Sequence, residues 1–170
     1  MEKTIAQLTQ ILSDLIGLHR RLMEAVRIER EALVSADLKG VQDTTLAKEG
    51  MIEQIRNLET ARLKVMGVLA MAWKKPLREL SLPNVIIAIQ GYDPKAAEKL
   101  RSSQNALVML IQRITDQNKE NQVLVEKFLG HLNNMKRNVL GEAVPRSNVY
   151  TPQGQRASGN PGARLISKEA

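Results

Sequence analysis

Three long segments of the chain repeat apolar residues at alternating steps of three and four, and this spacing constrains the fold more than any other feature. Such a repeat places the apolar side chains on one face of a helix, where helices pack side by side. A second apolar row suits a bundle of three or more helices. In the first segment, the main row is Ile5, Leu8, Leu12, Leu15, His19, Leu22, Val26, Glu29 and Leu33, and the second is Ile11, Leu18, Ala25 and Ala32.

The repeats predict an all-α fold with long helices at about 3–35, 38–74 and 95–140. The interruption "SADLKG" predicts a tight turn near Ala36, because Ser35 and Asp37 are residues that favour helix N-caps. Short connections join antiparallel neighbours, so the first two helices should form a hairpin. We therefore predict an antiparallel bundle of three long helices.

The connector at 75–94 contains Pro76, Pro83, Gly91 and Pro94. A short helix is predicted within it, because Ser81 precedes it, Pro83 suits an early helical position and Gly91 stops it. A strand at Val85–Ile89 is the alternative, although no partner strand is evident.

Residues 142–170 differ from the helical domain, 1–141, in composition. They are rich in Gly, Pro, Ser, Asn and Arg and contain too few apolar residues to offset the entropy of ordering, which predicts a flexible tail. The chain carries a net charge of +7, and the last 35 residues hold +4 of it. The tail could steer a charged partner electrostatically, or it could be a terminus without a role.

Composition argues against several classes of function. The absence of cysteine excludes a disulfide framework and thiol chemistry and is consistent with a cytoplasmic protein. The only histidines, His19 and His131, lie far apart, and no nucleotide-binding or nucleophile motif is present, so no enzyme, cofactor or metal is expected. With 2% aromatics and no dense basic stripe, we expect no nucleic-acid partner. No apolar run is long enough to predict membrane insertion.

Polar residues occur at several positions of the apolar rows, which we call seams, and they suggest contacts between helices. Glu29 and Lys48 lie at similar distances on the two sides of the predicted turn, so they should meet across the hairpin and fix its alignment. The alternative is that both side chains reach water from the seam edge. In the third helix, "DQNKENQ" includes Asn118 and Asn121, whose amides could set helix register, lie in a solvated stretch or contact a partner protein.

The end of the third helix carries an apolar stripe that is a candidate binding site for a partner protein. This helix is predicted to lie parallel to the first one and to extend about ten residues beyond its neighbours, which would leave the stripe exposed. The alternative is that the stripe completes the core. The candidate contacts are Leu124, Phe128, Leu132, Met135, Val139 and Leu140.

These features resemble the FlgN-type flagellar export chaperones. The segment "EREALVSADLKGVQDTTLAKEGMIEQIRNLETAR" contains an acidic residue and Leu before an Asp-containing turn, then Lys and a Leu-Glu-x-x-Arg element. Further elements are an Asn-x-x-Asn pair and a Tyr-x-x-x-Gly element in the tail, and the resemblance covers most of 1–155. The matching residues are Glu29, Leu33, Asp37, Lys48, Leu58, Glu59, Arg62, Asn118, Asn121, Tyr150 and Gly154.

The resemblance implies a cytoplasmic chaperone of flagellar type III export, without catalytic activity or cofactor. Such a chaperone binds C-terminal helical segments of hook-associated proteins, prevents their premature assembly and delivers them to the export gate. It also implies that the C-terminal part binds the client. It argues against random solvation of Asn118 and Asn121, for which we favour a role in helix register over a contact with the client. The alternative function is a structural coiled-coil scaffold or stalk component that binds no client.

Overall fold

The computed structural model describes residues 1–139, and this part of the chain is helical without any strand. The prediction of an all-α fold is therefore confirmed. The predicted tail at 142–170 and the candidate residue Leu140 lie outside the described residues. The helices are α1 (Glu2–Val34), α2 (Leu38–Trp73), a 3-10 turn (Leu77–Glu79), α3 (Leu82–Ile89) and α4 (Pro94–Val139).

The chain divides into two compact units, Met1–Leu129 and Gly130–Ala170. The first unit contains α1, α2, α3 and most of α4. Of the second unit, the structure describes the last ten residues of α4, Gly130–Val139.

The turn between α1 and α2 is built from residues 35–40. Ala36 adopts a left-handed conformation with φ of 56°, and the Asp37 amide donates a hydrogen bond to the Ala32 carbonyl oxygen at 2.9 Å, which closes the end of α1. The Asp37 carboxylate then caps α2 by accepting from the Gly40 amide at 3.0 Å. A Cβ atom on Gly40 would lie 2.5 Å from Asp37 Oδ2 and 3.1 Å from Ala32 Cβ, so a larger residue there would displace the Asp37 carboxylate.

Residues 82–89 of the connector form α3, so the alternative of a strand is wrong. Ser81 Oγ accepts from the Asn84 amide at 3.4 Å, and Pro83 lies in the first turn, where its missing N–H leaves no partner unsatisfied. Val85, Ile86 and Ile89 are buried. The short helix therefore anchors the connector to the core.

Most of the buried apolar surface forms one larger cluster, to which every α-helix contributes. It joins the first half of α1 to the second half of α2 and to the beginning of α4, with α3 included. Burying these aliphatic side chains is the main stabilisation of the fold, at about 1.5–3 kcal/mol for each fully buried Leu or Ile. Its fully buried members include Leu8, Leu12, Leu15, Met66, Leu69, Val85, Ile89 and Leu100.

A smaller cluster joins the second half of α1 to the middle of α4. It consists of Leu22, Val26 and Ile114, with Met51 and Ile55 of α2 packed against it. The clusters follow in the same order along α1 and α4, with Leu8 and Leu100 in the larger cluster and Val26 and Ile114 in the smaller one. Leu18 and His19 are buried in the stretch of α1 between the two clusters.

Candidate functional site

A buried ion pair joins α1 to α2. Lys48 Nζ donates to both carboxylate oxygens of Glu29, each at 2.8 Å. The Glu29 side chain is 9% exposed and that of Lys48 is 19% exposed, so water screens the pair weakly. Both residues sit at seam positions of their helices, which the turn near Ala36 connects.

Asn121 of α4 joins the same polar group. Its Nδ2 atom donates to the Val26 carbonyl oxygen at 2.9 Å and to Glu29 Oε2 at 3.1 Å, and the residue is 2% exposed. We call Glu29, Lys48 and Asn121 the Glu29 network. These directional bonds link α1, α2 and α4 through one buried polar group.

Some hydrogen-bond acceptors in and around the Glu29 network are left without a donor among the described residues. Asn121 Oδ1 and Gln117 Oε1 are buried without a hydrogen-bond partner among the described residues. At the surface nearby, Arg30 of α1 forms an ion pair with Glu120 of α4. Asn118 is exposed, so the two amides of the Asn-x-x-Asn pair lie in different environments and only Asn121 reaches α1.

The candidate apolar stripe on α4 begins in the first unit, where its residues are covered. Phe128 is buried at 7% exposure, and Leu124 is half-buried. In this conformation the Phe128 ring therefore offers almost no surface to another protein.

The part of the stripe that belongs to the second unit is more open. Met135 is 57% exposed and Val139 is 83% exposed, whereas Leu132 is half-buried. Neighbouring positions such as His131 and Lys136 are exposed as well. The described apolar side chains that are accessible to another protein in this unit are therefore mainly Met135 and Val139.

Within residues 1–139, no group of three His, Asp or Glu side chains is arranged to hold a metal ion. His19 is buried with Nδ1 2.7 Å from the Leu15 carbonyl oxygen, an ordinary contact of a helical histidine, and His131 is exposed. Of the helices that the structure describes, none is both long enough and apolar enough to cross a membrane.

Sequence reasoning missed two contacts between α1 and α4. It placed Asn121 in a seam without identifying Glu29 and Val26 as its partners, and it did not find the pair of Arg30 and Glu120. Both depend on how far α4 is shifted along α1, which the connector at 75–94 determines. The seam position of Asn121 was the only local signal.

The described part of the chain is all-helical, contains the Glu29 network and leaves apolar side chains open near the end of α4. The chain belongs to the FlgN protein family, whose model matches residues 1–158. No curated protein and no solved structure matches the chain. Membership of this chaperone family supports a general role in flagellar export and a function other than catalysis.

Proposed function

We propose that this protein is a cytoplasmic chaperone that binds the C-terminal helical segments of hook-associated flagellar proteins. It prevents their premature assembly and delivers them to the export gate. The proposal rests on membership of the FlgN family together with one observation, the exposure of Met135 and Val139 near the end of α4.

Recognition in this proposal is helix against helix. Apolar side chains of the client pack on Met135 and Val139, with Leu132 and Leu140 extending the contact. Exposed methionine suits this task because its unbranched side chain adapts to different client side chains. Leu124 and Phe128, which are more covered, support the helix that carries the contacts.

The three long helices act as the scaffold of the chaperone, and we infer that they form an antiparallel bundle over 1–141 followed by a separate tail. The pairing of Glu29 with Lys48 on the two sides of the turn at Ala36 supports this arrangement. So does the order of the two clusters along α1 and α4. In this bundle the Glu29 network sets the axial position of α4 relative to α1, and Asn121 rather than Asn118 supplies the amide that does so.

A pull-down of hook-associated proteins tests the proposal. The double variant Met135→Glu/Val139→Glu should capture at least about tenfold less client, because two charges then lie in an apolar contact. The matched control is Met71→Glu on α2, since Met71 is 74% exposed and outside the proposed site. A truncation ending at Gly130 should lose binding as well.

Circular dichroism establishes that each variant keeps the helical content of the unmodified chain. Equal capture by the double variant, by the truncation and by the unmodified chain would overturn the site assignment. Capture of no hook-associated protein by the unmodified chain, together with self-assembly in gel filtration, would instead support a structural scaffold.

A further inference from the structure

The middle of α4 is apolar around its whole circumference. Residues 106–111 read "ALVMLI", and successive residues of a helix point in directions about 100° apart. A helix that is apolar on all sides is normally buried on all sides. Here Val108 is 61% exposed, Met109 58% and Ile111 49%, so α1 and α2 cover only part of this turn.

One exposed side of this turn forms a groove with α1. The groove has a volume of about 460 Å³ and is lined by Arg20, Met23, Ala106, Met109, Leu110 and Arg113. We call it the Met23–Met109 groove. All of its residues belong to the first unit. Two of its lining residues are methionines, whose unbranched side chains can adapt to side chains of different shape.

The groove carries positive charge that the described residues leave uncompensated. Neither Arg20 nor Arg113 forms an ion pair within residues 1–139. Glu24, one turn beyond Arg20, binds Arg27 at 2.6 Å instead, and this hydrogen bond lowers the pKa of Glu24. Asp116, three residues after Arg113, accepts from Gln112 at 3.1 Å.

We propose that the Met23–Met109 groove docks an acidic amphipathic helix of a partner protein. Apolar residues one turn apart on that helix cover Met23, Met109 and Leu110, and carboxylates on its flanks meet Arg20 and Arg113. An acidic partner fits better than a basic or neutral one because the arginines would repel the first and be left partly desolvated by the second. This surface is distinct from the end of α4, and the inference does not depend on the client proposed above.

Fluorescence anisotropy with a designed probe tests this inference on the full chain. The probe is a fluorescein-labelled helical peptide of about 18 residues, with leucine at helical spacing and glutamate on both flanks. The acidic peptide should bind more weakly as sodium chloride is raised, since salt screens the contacts to Arg20 and Arg113. A counterpart with lysine in place of every glutamate should bind at least about tenfold more weakly.

Two neighbouring substitutions locate the binding surface. Met109→Glu should weaken binding of the acidic peptide by about tenfold or more, because it puts a carboxylate among the residues that line the groove. Val108→Glu adds the same charge at a residue of similar exposure that does not line the groove, and it should change affinity less than about twofold. Met135→Glu should also leave the peptide bound, which separates this result from a failure of the proposed client site.

Three outcomes would overturn the inference. The first is the absence of binding by the acidic peptide, and the second is equal binding of the lysine peptide. The third is equal weakening by Met109→Glu and Val108→Glu, which would indicate non-specific attraction. Light scattering tests whether the groove binds a second copy of this chain instead. A dimer that Met109→Glu dissociates would also overturn the inference.

Discussion

Replacing Lys48 by methionine should destabilise the protein substantially, because it leaves the Glu29 carboxylate buried without its counter-charge. Removing one partner of a fully buried ion pair costs about 3–5 kcal/mol. The Lys48 side chain is 19% exposed, so water can reach part of the vacated position, and Asn121 still donates to Glu29 at 3.1 Å. We therefore expect a loss of about 2–3 kcal/mol in the free energy of unfolding.

Urea denaturation followed by circular dichroism measures this loss as a shift of the midpoint at constant slope. The matched control is Lys39→Met, in the same helix, where the ion pair with Asp43 is exposed on both sides and little measurable change is expected. The double variant Glu29→Leu/Lys48→Met removes both charges and should recover to within about 1 kcal/mol of the unmodified protein.

The double variant carries the sharper test. If the loss from Lys48→Met were only the loss of packing by a long side chain, removing Glu29 as well would add to it. Destabilisation of the double variant by the sum of the two single losses would therefore refute the reasoning. So would a Lys48→Met loss no larger than that of Lys39→Met.

Three further substitutions test other details by the same urea measurement. Asn121→Ala should lower the free energy of unfolding by about 1–3 kcal/mol, because two buried hydrogen bonds are lost, whereas Asn118→Ala at an exposed position should leave it unchanged. Gly40→Ala should lower it by about 1 kcal/mol, because the added methyl group would displace the carboxylate of Asp37 from its capping bond. Lys74→Gly should raise it by up to about 1 kcal/mol, because Lys74 ends α2 in a left-handed conformation with φ of 51° that glycine adopts without strain.

The helices could be predicted from sequence because each of them depends on signals that lie close together in the chain. The apolar repeat, the turn residues Ser35 to Gly40 and the prolines of the connector predicted the bounds of α1 and α2 and the start of α4 within about one residue. The opposition of Glu29 and Lys48 followed from the position of one turn, because the two helices that it joins have equal rise per residue.

Contacts of α4 were harder to predict because they depend on the geometry of a connector that sequence does not give. Gln117 and Asn121 both lie on the predicted seam, and Asn118 lies beside it. The axial shift of α4 decides which of these amides reaches Glu29. The burial of Phe128 could not be predicted either, because an apolar repeat does not show how much of the stripe is covered. The Met23–Met109 groove had a signal that was overlooked, namely the six consecutive apolar residues at 106–111.

The division of the apolar core into a larger and a smaller cluster implies that α4 does not separate from its neighbours as one piece. Its beginning is held by Ala97 and Leu100, while the next buried apolar residue is Ile114. Amide protons near Leu100 should then exchange with solvent only when the whole unit unfolds, and those around Asn121 should exchange earlier through local opening. The fold thus anchors the beginning of α4 in the core and leaves its later turns free to open locally.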